Sequence, residues 1–500
     1  MKQIAKLIVV CLSFLALASC HKDLDIVQDD RMTASNMWKT SAHVEGSTVD
    51  IYASLRANFA QMDISVLHWG ELRVGEFMWS KSRVVNAYTS KDVIQNTMTS
   101  ATANCSWSAL YSAIDQANAV LKYAPDENIP MTVAKRSWAI GQAAFARAYC
   151  YFWAVRLWGD VPLNLNPIES FDQPEMYPSR TPKAQVYAQI EEDLKLAVAN
   201  VDNLGSNKYL ATKDAVYMLA AECALWMYTN QKAGDSYLSR AEEALNAIGV
   251  KPGDPRFLPR YEDIFDGRGR ENKNSAEVVF ALFNSAKESK LGGFNIYFTH
   301  STPFVKAAFQ NSPVPIGTFQ SLDFGDGYLE MLRDSRDHNG DSRVPTILGD
   351  GNYGTMGDGN LTWVNKFIGD LSSGTMVRDC DLLYYRYAFA VMMMAELKYY
   401  QGKYDESLNY LNMIAKRAYG KDGYYSVATK DEVLEALVRE YFLEFPAEGV
   451  IWWALIRLDK IWDYNETLRE RKNDTNILLW PITKSARNRN SNLEQTEGWY

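Results

Sequence analysis

The residue types that ordinarily carry chemistry are sparse in this chain of 500 residues. Histidine is the side chain that titrates near neutrality without help, and only His21, His43, His68, His300 and His338 occur. None forms an H-E-x-x-H pair, and there is no G-x-S-x-G elbow or G-x-x-x-x-G-K-[ST] loop. Those spacings would place zinc, a nucleophile or a phosphate. GDGNYG from Gly349 matches G-x-G-x-x-G, but TMGDGN follows it. A dinucleotide site needs a helix N-terminus there to face the pyrophosphate, so this match is rejected. Asp337, Asn339 and Asp341 alternate like the start of a calcium loop, yet Ser342 stands at the turn glycine and Leu348 at the bidentate glutamate. An EF-hand is excluded and an irregular structural calcium site stays open; no other cofactor or metal is expected. A glycosidase pair among 61 acidic residues has no spacing signature that sequence could show, so no catalytic residue is assigned.

Cysteine chemistry is confined to the N-terminus. Lys2 and Lys6 precede an apolar run from Leu7 to Leu17, too short to cross a bilayer and suited to a signal-peptide core. The run ends Leu17-Ala18-Ser19-Cys20, which resembles the bacterial lipobox. Residues 1–19 are therefore expected to leave, and the Cys20 sulfur to carry a diacylglycerol. His21 at the next position, in place of the aspartate that retains lipoproteins at the inner membrane, favours the outer membrane. Lys22, Asp23 and Asp25, interrupted by Leu24, resemble part of an acidic surface-export tag. Cys105, Cys150, Cys223 and Cys380 are far apart with no C-x-x-C pair, which argues against zinc and thioredoxin chemistry. Buried free thiols are the leading reading, with three disulfide pairings formally open.

The elements that must hold any site are helical. Composition is 47% hydrophobic and 23% charged, that of a globular chain with large cores. The formal charge of -9 has the wrong sign for neutralising nucleic-acid phosphates, so no nucleic-acid partner is expected. Phe145, Ala148, Tyr149, Phe152 and Val155 recur on one helical face, as do Val216, Leu219, Ala220, Cys223 and Met227. Leu383, Tyr387, Ala390, Val391 and Met394 precede Tyr404, Leu408, Leu411, Ala415 and Ala418, with Gly402 at the turn and Gly420 as C-cap. This hairpin fits the tetratricopeptide template, with Ala395 at the small position and Leu411 at the large one. Thr181 before Pro182, and Thr429 with Glu432, read as helix starts.

The fold class is mainly α. Helical pairs are expected near 108–157, 183–248, 383–418 and 430–462, stacking into one body over residues 20–500. The insertion near 250–380 is dense in Gly, Asp, Asn and Pro, and that near 62–107 mixes aromatic with polar residues without a clear period. Loops of that length in a compact domain are usually functional surfaces.

Four blocks in order resemble the SusD/RagB family of Bacteroidetes outer-membrane lipoproteins. AAFARAYCYFWAVRLWGDVPL from Ala143 matches its L-W-G-D-V-P-L block through Trp158, Gly159, Asp160, Val161 and Pro162. The segment from Tyr385, VLEALVREYFLEFPAEG from Val433 with Arg439, Glu440 and Glu444, and LLWPIT from Leu478 with Pro481 and Ile482 are similar to later blocks. EGVIWWALIR lacks the usual first Arg and the Asp of G-x-R-W-x-D-L-x-R, and Gln495 with TEGWY replaces the usual Q-N-P-G-Y ending.

The resemblance implies a surface lipoprotein, not an enzyme. It would bind oligosaccharides, be held to the outer membrane by its lipid, and pass the ligand to a SusC-like TonB-dependent transporter. Oligopeptide capture is the alternative cargo, and a surface glycoside hydrolase a more distant one. It also implies a transporter-facing helical scaffold and a ligand site in the irregular region. Planar rings suit the apolar faces of sugars. The candidate ligand residues in the insertions are therefore Trp79, Tyr88, Tyr297, Tyr353 and Trp363, with Arg73 and Arg83 as polar partners.

Overall fold

The computed structural model describes residues 37–59, 66–79, 88–201, 207–265, 273, 275–285, 298–317, 322–367, 369, 380–474 and 476–499. Its principal helices are α1 (Ser41–Phe59), α2 (Ser108–Tyr123), α3 (Val133–Trp158), α4 (Lys183–Asn200), α5 (Lys213–Thr229), α6 (Ser236–Ile248), α7 (Asp326–Asn339), α8 (Tyr387–Tyr400), α9 (Tyr404–Tyr419), α10 (Lys430–Glu444) and α11 (Ile451–Arg457). Consecutive members pack as antiparallel neighbours, α1 on α2, α2 on α3, α3 on α4, α5 on α6 and α8 on α9, while α8 also meets α6 and α10. Each amphipathic helix buries its stripe against the next, so no pair stands alone.

The helical faces read from sequence lie in the core, with Ala220 and Met227 half-buried against it; Leu383, read as the start of the α8 stripe, lies instead on a strand, Leu382–Arg386, because the helix begins only at Tyr387. Phe145, Ala148, Phe152, Val216, Leu219, Ala395 and Leu411 are all inaccessible. At the α8/α9 turn, Gly402 adopts φ 72° and Gly420 caps α9 at φ 67°, a backbone region that glycine enters without Cβ strain. The Ser407 hydroxyl donates to the Ala395 carbonyl at 2.7 Å and ties the two helices where they come closest. Thr429 accepts from the Glu432 amide at 3.3 Å, the N-cap its spacing predicts.

Thr181 departs from expectation. It pairs in a bridge with Val161, its hydroxyl accepts from the Leu163 amide, and α4 begins after Pro182. The carboxylate of Asp160, from the Trp158–Pro162 block, accepts from the Lys183 amide instead. A cap reached across 23 positions is a tertiary contact that local spacing does not show.

The blocks shared with the family lie together. The Trp480 amide donates to the Leu157 carbonyl at 2.7 Å and the Trp158 indole to the Pro481 carbonyl at 3.3 Å. Gly70 and Gly449 approach so closely that a Cβ on Gly70 would lie 2.2 Å from the Gly449 carbonyl oxygen. Glu71 receives the Ala447 and Gly449 amides at 2.7 and 2.6 Å.

Under α8, α9 and α10 lies a buried ionic network. Arg343 pairs with Asp341, Glu440 and Glu444; Arg386 with Glu277, Glu444 and Glu448; Arg417 with Glu277 and Glu444. Burial alone would raise the Glu444 carboxyl, but Arg417, Arg386 and Arg343 hold it down at about 2. Asp341 thus clamps Arg343 and takes the Ser335 hydroxyl, while Asp337 pairs with Arg336. Cys105, Cys150 and Cys223 are buried free thiols, as read from sequence, and Cys380 is buried as well. Among the described residues no helix is long and apolar enough to cross a membrane.

Candidate functional site

The described part of the second insertion combines short strands with α7. Strand β1 (Phe77–Trp79), from the first insertion, pairs antiparallel with β5 (Leu322–Phe324). Strand β2 (Val278–Leu282) pairs with β8 (Leu382–Arg386), β3 (His300–Ser301) with β4 (Ile316–Gly317), and β6 (Leu348–Asn352) with β7 (Asn360–Val364). The two insertions therefore meet at β1 and β5.

The GDGNYG glycines serve this architecture. Gly349 lies opposite Trp363 in the β6/β7 register, and a Cβ there would fall 2.0 Å from the indole. Only a missing side chain lets the ring lie across the neighbouring strand. Trp363 is 2% exposed and its indole donates to Asn365 at 3.0 Å. With Val305, Val314 and Leu361 it forms a small core separate from the main one, flanked by Phe309, Ile316 and Tyr353. Tyr353 lies 6.0 Å from Trp363 and 4.9 Å from Phe309, centroid to centroid.

Asp323 joins the sheets. It lies opposite Met78 in the β1/β5 register, and both its carboxylate oxygens accept from the Thr362 hydroxyl of β7, at 3.0 and 2.9 Å. Burial pushes its carboxyl up to about 7, against the Thr362 and Phe324 hydrogen bonds that favour the charged form. Asp323 and Phe309 were not singled out from sequence. An alternating L-D-F triplet was the signal available, and three residues are too few to establish a period.

The sequence candidates separate into groups. Arg73 is buried at 1% exposure. Its guanidinium donates to Asn96 and to the Leu478 and Ile477 carbonyls at 2.7, 2.8 and 2.6 Å, and lies 4.6 Å over Trp452. It therefore joins the first insertion to the C-terminal block and presents no free donor surface, contrary to the role read for it. Trp363 is likewise an internal ring in this structure, not an open stacking platform. Tyr353 is half-buried at the edge of the small core. The backbone of Trp79 ends β1 opposite Leu322 and that of Tyr88 begins the helical segment Tyr88–Ile94; their side chains, and Cys20, Arg83 and Tyr297, lie outside the described residues. A polar hollow of about 600 Å³ lies elsewhere, on the helical body, where Asp160 and Arg180 face Gln495 and Glu497.

Comparison with known proteins agrees at both ends of the chain. Residues 28–225 match a SusD-like profile described as starch-binding and associating with the outer membrane, and residues 335–499 match the profile of the SusD family. A SusD-like protein of Formosa agariphila is 20% identical over 523 positions, spanning 99% of this chain and 98% of its own. A SusD superfamily protein from Bacteroides fragilis superposes with a TM-score of 0.76 at 22% identity, over 93% of this chain and 100% of that one. A protein described as a laminarin-binding SusD-like protein superposes with a TM-score of 0.75 at 18% identity, over 92% of this chain and 100% of that one. With the four sequence blocks packed against one another in a helical body of this architecture, the chain belongs to the SusD/RagB family.

Proposed function

We propose that this protein captures oligosaccharides at the outer membrane and delivers them, uncleaved, to a partner TonB-dependent transporter. The observation that carries the reading is the match of residues 28–225 to a starch-binding, outer-membrane-associated profile. That span contains the whole first insertion. The laminarin-binding protein of the same architecture supports a glycan rather than a peptide cargo. The lipobox at Leu17–Cys20 supplies the membrane attachment, a lipid on Cys20. Stacked helical pairs offer a broad face for the transporter.

In this reading the small core of Trp363, Val305, Val314 and Leu361 is the floor of the ligand region. Tyr353, Trp79, Tyr88 and Tyr297 are the candidate stacking rings and Arg83 the candidate hydroxyl partner. Arg73 acts from beneath by fixing the insertion to the C-terminal block.

The test is native electrophoresis of the mature chain in gels containing starch, laminarin, xylan or pectin, with a reducing-end assay on the same mixtures. Retarded migration without new reducing ends is the expected result. Steady release of sugars would make it a hydrolase, and unretarded migration in every gel would remove glycan capture.

A further inference from the structure

A second hollow on the helical body lies outside the strand pairs around Trp363. Where the chain leaves α6, residues 252–259 fold back along the outer side of α9 and enclose about 800 Å³ between them. The α9 side is a single stripe: Glu406, Asn409, Tyr410, Met413, Lys416 and Arg417 line the hollow at helical spacing. The opposite stripe, Leu408, Leu411, Ile414 and Ala415, is in the core. Tyr410 and Met413 are half-buried, packing against the main core on one side and facing the hollow on the other.

The lining has the mixture that sugar rings need. Phe257, Tyr410 and Met413 supply apolar surface. The Phe257 ring is held by the Arg417 guanidinium stacked 4.0 Å from its centroid. Arg417 is itself buried and paired with Glu277 and Glu444, so it backs the Phe257 ring rather than offering the hollow a donor. The charges at the rim are already matched, Glu406 with Lys398 at 3.1 Å and Lys416 with Asp422 at 2.7 Å. A further ion would thus find no unpaired counter-charge. A neutral molecule with an apolar face and hydroxyl edges fits this hollow better than an ionic one.

We infer that the hollow between residues 252–259 and α9 is a second carbohydrate site, on the scaffold, which holds a neutral hexose segment of the glycan. The inference rests on the glycan-capture reading. Two contacts along one polymer raise avidity for long chains without strengthening either contact alone.

The test uses the full mature chain labelled with ¹³C at its methionine methyls, the Met413 signal being assigned by Met413→Leu. The ligand is a hexasaccharide cut from whichever gel polysaccharide retards the protein most. The expected result is a saturable shift of the Met413 signal, with two hexasaccharides bound per chain by calorimetry. Tyr410→Ala, and separately Asn409→Ala at an exposed position, should reduce this to one and weaken the Met413 titration at least tenfold, with the melting temperature of Asn409→Ala unchanged. Retardation with an unmoved Met413 signal and one hexasaccharide bound by wild type and variants alike would overturn the scaffold site while leaving the capture reading intact. Failure of every polysaccharide to retard the protein defeats the capture reading instead. A Met413 shift produced by an apolar peptide and not by the sugar would overturn the assigned ligand class.

Discussion

The helical scaffold and the strand-built insertion solve burial in opposite ways. The scaffold has one large core that runs through every helical pair and encloses an ionic network in which Glu444 alone meets Arg343, Arg386 and Arg417. The insertion adds a second, small core of Val305, Val314, Leu361 and Trp363, tied to β5 through the Thr362 hydroxyl and Asp323, while Leu348 of β6 and Val364 of β7 reach the main core. A network whose members each have several partners tolerates no partial change, because any loss leaves buried charge uncompensated. A small separate core can be rebuilt without disturbing its support.

The largest effect should come from the scaffold. Glu444→Ala leaves three buried arginines short of a partner and should cost about 3–5 kcal/mol, read as a lower urea midpoint for the whole chain. A midpoint equal to wild type would break the comparison at its first term. The same carboxyl predicts acid sensitivity. Its folded pKa of about 2 lies below the ordinary value of 4.5, so its stabilisation is complete above about pH 4.5 and is lost as pH falls towards 2. Glu444→Gln should flatten that part of the acid-unfolding curve.

Trp363→Ala should remove a comparable ~3–5 kcal/mol, but locally. Hydrogen exchange should accelerate in residues 300–317 and 348–364 and stay slow in α3, α5 and α8. Uniform acceleration would mean that the two regions fold as one.

A smaller effect belongs to Asp323. Its folded pKa is raised to about 7, so its contribution is fully present below the unfolded value and is lost as pH rises through 7. Protection of β5 and β7 should therefore fall between about pH 4 and 7, by up to ~1.4 kcal/mol per pH unit, and level off above 7. Asp323→Asn should remove that slope, and a slope that survives would show that another group is responsible. Smallest is Thr429→Ala, which should lower scaffold stability by about 1 kcal/mol through loss of the α10 cap. Calorimetric melting measures it, and no change in the exchange of residues 348–364 is expected.

Much of the scaffold was legible because its signals are local. The stripes at Phe145–Val155 and Val216–Met227, the Gly402 turn, the Gly420 cap and the Thr429 cap all lie within a few residues of what they specify. Where the partner was remote, reading failed. The start of α4 was assigned to Thr181 because the adjacent Pro182 suggested it, whereas the cap came from Asp160. The candidate ligand residues show the same limit. An arginine or tryptophan in an irregular, Gly-rich segment carries no sign of which way it faces. Arg73 and Trp363 turned inward because Trp452 and two carbonyls awaited the one, and Gly349 made room for the other.

The sequence by itself determined that the chain is mainly helical, which residues line its helical faces, and which family it resembles, since periodicity and ordered motifs are properties of the chain alone. The folded structure adds that three arginines share Glu444, that Gly349 makes room for Trp363, and that α9 turns a second lined face towards residues 252–259. Each depends on groups brought together from tens or hundreds of positions apart, and burial, which assigns such groups their partners and their charge, exists only once the chain is folded.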